Sequence, residues 1–279
     1  MHFFNYNGKI FGEEEPTISI YNRGLRYGDG LFETLRIHDG ELLFFEDHIH
    51  RLLRGMKALY MDIPGTYGEF FFHKQIIDLC HKNKIENQAR IRLTVFRNGN
   101  GLYEPQRSDP GYFIEASLLE SGFAWKEEPC ELGVYDAVRK DYSAISNFKS
   151  LNALPSVMAG IFRKQNGFGD CLLINSAGMV ADTVSSSIFW IEGNTLLTPP
   201  LSDGGVEGIL RKNLMAVLAE KQITVEERSV TPGQLMTADE IFLTNVITGI
   251  RPVTHFGDKQ FSASKTKDVF QLFMEKLKR

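Results

Sequence analysis

The stretch LFETLRIHDGELLFFEDHIHRLLRGMKALYM, residues 31–61, changes its hydrophobic period once, and that change sets the fold class. Residues 31–37 read as a strand, HDG at 38–40 as a turn, and 41–45 as a returning strand. From residue 46 the pattern turns helical. Ile49, Leu52, Leu53, Met56, Leu59 and Tyr60 fall at i, i+3, i+4, i+7, i+10 and i+11, which predicts an amphipathic helix over 46–60.

Working outward, strands are expected at 2–6 and 17–21, a second helix at 67–83, and strands at 90–97 and 111–117, completing an α+β unit. LESGFAWKEEP at 119–129 reads as a connection. Beyond it, strands are expected at 131–138, 171–175, 187–192, 195–198 and 240–246, with helices at 151–166, 208–221 and 264–278. Few of these strands are joined by a regular crossover, so the pattern is not that of a doubly wound dinucleotide fold. The expected organisation is a smaller N-terminal domain (1–119), a linker (120–128) and a larger C-terminal domain (129–279). No repeat or low-complexity segment interrupts it.

The chain has 279 residues, 43% of them hydrophobic, enough for one large or two medium domains with ample core. A net charge of −4 and the lack of a Lys/Arg-rich block argue against nucleic acid as a partner. The opening MHFFNYNGKIFGEEEP does not read as a signal peptide, and no apolar run is long enough to span a membrane. Cys80, Cys130 and Cys171 are widely spaced with no CxxC, which suits a reducing cytoplasm and gives neither a disulfide framework nor a structural zinc site. His48 and His50, at i and i+2 on a helix, point to different faces and make a poor metal pair.

Four places are candidates for chemistry, each with an ordinary alternative. Lys149, in SNFKSLNALPSVMAG (146–160), sits among small and apolar residues. It is either a solvated surface lysine or a desolvated amine, whose lowered pKa makes it a better nucleophile for a carbonyl. LSDGGVEGILRKNLMAVLAEK (201–221) runs from glycines into a helix. It is either a plain loop or an anion site built on unpaired helix N–H groups. Arg51 lies off the apolar stripe of its helix, as a solvated cation or a two-pronged phosphate donor. Asp182, in INSAGMVADTVSSSIFWIEG (174–193), is a turn or capping aspartate on the ordinary reading.

Taken together, five segments in order along nearly the whole chain resemble one family, the fold type IV pyridoxal-phosphate enzymes or class IV aminotransferases. It contains branched-chain and D-amino acid aminotransferases and 4-amino-4-deoxychorismate lyases. YNRGLRYGDGLFETLRIHDGELLFFEDHIHRL (21–52) resembles its N-terminal signature and NFKSLNAL (147–154) its Schiff-base lysine segment. NSAGMVADTVSSSIFWIEG is similar to its cofactor-ring segment, TPPLSDGGVEGILRKNL to its phosphate loop and helix, and EIFLTNVITGIRPV to its last active-site strand.

The resemblance implies a two-domain fold like that of D-amino acid aminotransferase, with pyridoxal 5′-phosphate at the domain interface, and a homodimer. It implies that Lys149 bonds the cofactor and moves the substrate proton, and that Arg51 with the N–H groups of Ile209 and Leu210 binds the phosphate. Asn245 and Val246 would complete the rim, and Tyr27 would line the substrate pocket. Arg92, inside RIRLTVFR, is placed by its strand position as a carboxylate partner. Asp182 stands where the family usually has glutamate facing the pyridine nitrogen. Aspartate is one methylene shorter, so contact would need a backbone shift or a bridging water.

The implied activity is first that of an aminotransferase acting on an amino acid and a 2-oxo acid. The lyase, acting on an amino-chorismate, follows closely, because FET at 32–34, Leu154 and TN at 244–245 depart from the branched-chain pattern. A non-catalytic vitamin B6 carrier is the alternative of another class, opposed by an intact Lys149 and Tyr27.

Overall fold

The computed structural model describes every residue except Met1, Pro16, Thr17, Ser121, Glu127 and Arg279. The chain forms two compact units, Met1–Gly122 with Phe148–Asn152, and Phe123–Asn147 with Ala153–Arg279.

The first unit runs β1 (Phe3–Tyr6), β2 (Lys9–Gly12), α1 (Arg23–Tyr27), β3 (Gly30–His38), β4 (Glu41–Leu42), α2 (Phe45–Ala58), α3 (Glu69–Asn83), β5 (Gln88–Arg97) and β6 (Pro110–Leu118). Its strands make one antiparallel sheet in the order β2-β1-β6-β5-β3-β4. Side chains alternate across a strand, so Leu31, Leu35 and Ile37 share one face of β3 and align with Val95, Ile91 and Ala89 of β5. All six are buried with Ile49, Leu52 and Met56 of α2 and Phe72, Ile76 and Leu79 of α3. Each large side chain so buried contributes about 1.5–3 kcal/mol.

Gly30 opens β3 where a Cβ would lie 2.3 Å from the Val95 carbonyl oxygen and 2.8 Å from Leu151 Cδ1. That close approach admits Phe148–Asn152, a segment that the sequence boundary places with the C-terminal half. Phe32 N–H donates to Lys149 O at 2.8 Å and Leu151 N–H to Gly30 O at 2.9 Å. Two local expectations change. Of the strand expected at 17–21, Thr17 lies outside the described residues. Residues 18–21 are irregular, closed by Asn22 N–H on Ser19 O, before Asn22 caps α1. The returning strand at 41–45 stops at Leu42, because the backbone turns left-handed at Phe44 (φ 52°) and α2 begins at Phe45.

The second unit runs β7 (Glu131–Tyr135), α4 (Leu154–Asn166), β8 (Asp170–Ile174), β9 (Val180–Thr183), β10 (Ser187–Glu192), β11 (Thr195–Thr198), α5 (Ile209–Glu220), β12 (Val225–Glu227), α6 (Pro232–Leu235), β13 (Glu240–Asn245), β14 (Gly249–Pro252), β15 (His255–Phe256), β16 (Lys259–Gln260) and α7 (Ser264–Leu277). They form two five-stranded sheets, β12-β11-β10-β13-β14 and β16-β15-β7-β8-β9. Leu132, Leu172 and Ile174 of one sheet and Ile188, Trp190, Ile241 and Leu243 of the other are buried in a single core, so the sheets pack face to face. The parallel pair β7 and β8 is bridged by α4, which packs on them.

Candidate functional site

In the first unit, Glu33 shares the parity of Leu31, Leu35 and Ile37 and therefore points with them toward α2. His48 and Arg51, three residues apart on α2, meet it there. Arg51 grips the carboxylate with two prongs, Nε donating to Oε1 at 2.8 Å and Nη2 to Oε2 at 2.6 Å. His48 Nδ1 lies 2.7 Å from Oε2. Burial by itself would raise the Glu33 pKa, but the Arg51 charge and the His48 and Arg51 hydrogen bonds overcome it and bring it down to about 2. The carboxylate can then only accept, so His48 Nδ1 carries the proton. Burial depresses the His48 pKa despite Glu33, and the Arg51 and Lys149 charges add to the depression. Its Nε2 is a buried atom with no hydrogen-bond partner. Arg51 is thus a buried, rigidly held guanidinium, where its position off the apolar stripe suggested a solvated one.

The face of β3 and β5 turned away from α2 carries Phe32, Arg36, Arg90 and Arg92. The Lys149 amine lies over the Phe32 ring, 4.8 Å from its centroid, and the Arg92 guanidinium lies over the same ring at 3.9 Å. The structure thus brings Lys149 and Arg92 onto one aromatic platform. Burial pulls the Arg92 pKa down, Glu115 opposes this and Arg90 adds to it. Tyr27 is grouped differently. Its ring lies 5.7 Å from that of Tyr103 and stacks with the guanidinium groups of Arg23 and Arg26. With Asp29, Arg97, Ser150 and Asn152 it lines a cavity of about 300 Å³.

In the second unit, α5 begins at Ile209 with no side chain capping its N-terminus. The backbone N–H groups of Ile209 and Leu210 are left outside the helical ladder, while their side chains are buried. Gly208 precedes them, and a Cβ there would stand 2.4 Å from Ser187 Oγ. A Cβ on Gly205 would stand 2.4 Å from the Ala181 carbonyl oxygen. Backbone donors, a hydroxyl and absent side chains leave a cradle whose chemistry fits a phosphate dianion.

Asn245 orders the neighbouring turn. It donates to Ser186 Oγ at 2.9 Å and accepts from the N–H groups of Ile247 and Thr248 at 2.9 and 2.8 Å. Its side chain therefore orders that turn, and Val246, buried, follows β13. Asp182, on β9, accepts from Lys140 Nζ at 2.6 Å, from Val206 N–H at 3.1 Å and from Thr183 N–H at 3.1 Å.

In the sequence His48 stood out only as a metal ligand, Phe32 and Glu33 only as part of FET, and Lys140 not at all. For Glu33 a signal exists, since a carboxylate on the apolar parity of a core strand requires a buried cation. For Lys140 none does, because its partner is 42 residues away.

A sequence profile of the amino-transferase class IV family matches residues 30–256. A Methanocaldococcus jannaschii protein named as a branched-chain-amino-acid aminotransferase is 30% identical over 281 residues, 98% of this chain and 94% of its own. An aminodeoxychorismate lyase of Vibrio harveyi is 24% identical over 249 residues, 88% of this chain and 89% of its own. The crystal structure of a branched-chain aminotransferase from Thermoproteus uzoniensis, with norvaline, superposes with a TM-score of 0.87 at 24% identity, covering 98% of this chain and 94% of the other. The fold is accordingly the α+β type IV fold of those enzymes, and the chain belongs to the class IV aminotransferase family.

Proposed function

We propose that this chain is a pyridoxal-phosphate-dependent aminotransferase that moves an amino group between an amino acid and a 2-oxo acid. The observation that carries the reading is Lys149, whose amine lies over Phe32 beside Arg92 on a segment bonded to β3. Pyridoxal phosphate supplies a carbonyl for amines and a ring that withdraws electrons. Lys149 would hold the cofactor through that carbonyl, and its amine would carry the substrate proton. Arg51, held by Glu33, would serve the phosphate, as would the backbone donors at the uncapped start of α5, Ile209 and Leu210. Asn245 and Val246 form the rim, Asp182 serves the ring nitrogen, and Arg92 and Tyr27 serve the substrate. Glycines that keep side chains out of the cradle support the cofactor assignment.

A second reading, 4-amino-4-deoxychorismate lyase, is favoured by one observation. Arg36 stands directly across from Arg90 and Thr34 from Arg92, while Glu115 lies 3.9 Å from Arg92. Like charges facing each other across strands are destabilising. A face so rich in guanidinium suits a substrate with a second carboxylate.

The exposed side chains of Leu154, Val157, Met158 and Ile161 fall at i, i+3, i+4 and i+7 along α4. This apolar stripe supports a homodimer, and three buried free cysteines support a cytoplasmic setting. Among the described residues no helix is long and apolar enough to cross a membrane.

The test is the visible spectrum of the protein loaded with pyridoxal phosphate, to which L-glutamate, L-leucine and D-alanine are added separately without a keto acid. Bleaching of the yellow form by one of them establishes transamination and names the donor class. A yellow protein unmoved by all three, yet forming 4-aminobenzoate from 4-amino-4-deoxychorismate, establishes the lyase. A protein that never turns yellow refutes both.

A further inference from the structure

Asp182 lies on β9, its Cα paired with that of Leu173 on β8. Lys140 lies between β7 and α4, where its backbone N–H donates to Ile174 O at 3.0 Å, so its stem starts beside the end of β8. From there Nζ reaches Asp182 Oδ2 at 2.6 Å, with side-chain exposures of only 17% and 11% for the two residues. Oδ2 also accepts from Val206 N–H and Oδ1 from Thr183 N–H. A carboxylate offers about four acceptor positions. Three are used here, and one of the donors is a full cation.

The other charged side chains on elements packed against β9 are Asp170, Glu192 and Asp203. Asp170 on β8 faces Arg251 at 3.5 Å. Glu192 on β10 accepts from the Trp190 indole and from Arg228. Asp203 lies on the short turn Leu201–Asp203; its side chain is buried, and its Oδ2 has no hydrogen-bond partner among the described residues. Lys140 is the cation on Asp182.

We infer that Lys140 is the resident counter-ion of Asp182, and that by occupying this carboxylate it leaves the pyridine nitrogen of bound pyridoxal phosphate predominantly unprotonated at neutral pH. This rests on the proposed cofactor. A protonated ring nitrogen would bring a second positive charge to a carboxylate already neutralised. A like charge within a few ångströms disfavours the protonated form by about tenfold or more. The shorter aspartate and the lysine act as one unit, with Lys140 a positioning residue that sets how strongly the ring withdraws electrons. A ring of this kind is a weaker electron sink.

The test uses the protein loaded with ¹⁵N-labelled pyridoxal phosphate, reading the ring-nitrogen chemical shift against pH. The wild type is expected to show the unprotonated nitrogen at neutral pH. Lys140→Met, which frees Asp182, is expected to raise the proton affinity of the nitrogen by about tenfold or more. Lys140→Arg keeps a cation there and is expected to behave as the wild type. Should Lys140→Met not fold, Lys140→Gln keeps a donor without the charge and should move the nitrogen in the same direction. A wild-type nitrogen already protonated at neutral pH overturns the inference, as does a titration unchanged in the neutral variants. Either result would come with a yellow protein, whereas failure to take up the cofactor would overturn the proposed function along with it.

Discussion

Removing the charge of Glu33 is the most quantitative test of how Arg51 is held. The carboxyl titrates near 4.5 when free and at about 2 in the fold, although burial alone would have raised it. At 1.36 kcal/mol per unit, that depression corresponds to about 3 kcal/mol of stability from the ionised form. A depressed acid stabilises the fold above its unfolded pKa, and the contribution is lost as pH falls through its folded one. By this linkage it is complete at neutral pH and less than half remains near pH 3. Glu33→Gln leaves the buried Arg51 guanidinium facing a neutral amide. The expected cost in urea unfolding at pH 7 is about 3–5 kcal/mol, the range for breaking a buried pair. The difference between wild type and variant should shrink by about half toward pH 3, and Glu33→Asp, which keeps the charge, should recover part of it. A loss under about 1 kcal/mol at pH 7, or one independent of pH, would refute the reasoning.

Three further outcomes are expected. Lys149→Ala abolishes turnover and the yellow colour while leaving the unfolding midpoint close to that of the wild type; retained turnover, read with whichever substrate is active, would remove Lys149 from the chemistry. Gly30→Ala drives a methyl group against the Val95 carbonyl and Leu151, and should cost about 1–3 kcal/mol or more by denaturant unfolding. Glu240 accepts from the hydroxyls of Ser262, Ser264 and Thr266 and the N–H groups of Lys265 and Thr266, capping α7 from a neighbouring strand. Burial opposes its ionisation, but these donors hold its pKa below the ordinary value, so Glu240→Gln should cost about 1.5–3 kcal/mol at neutral pH and less in acid, with faster amide exchange confined to the start of α7.

Much of this protein was legible in the chain. The period change at residue 46 gave α2 to within one residue at its start, because an amphipathic helix repeats its burial every turn. The strands β3, β5, β6 and β10 also followed from local pattern. The short elements were not legible. α1 spans five residues and β15 and β16 two each, too few to repeat a period, and they exist because a neighbouring strand or cap holds them. Five segments in register identified the family, since each carries its own residue types at its own spacing.

The environment of each candidate was a different matter. Arg51 reads as a solvated cation on its helix, and only the parity of β3, folded against α2, turns it into a buried partner of Glu33. Lys149 lies in the sequence beside the second unit, yet its backbone bonds to β3 in the first, more than a hundred residues earlier in the chain. Asp182 and Lys140 are joined across 42 residues. The sequence by itself determined which residues can carry a charge, a proton or a Schiff base, and which segments coil or extend, because those properties depend on covalent structure and local period. Which charges neutralise one another was decided by tertiary structure alone, because the energy of a buried ion depends on atoms within a few ångströms, whatever their distance along the chain.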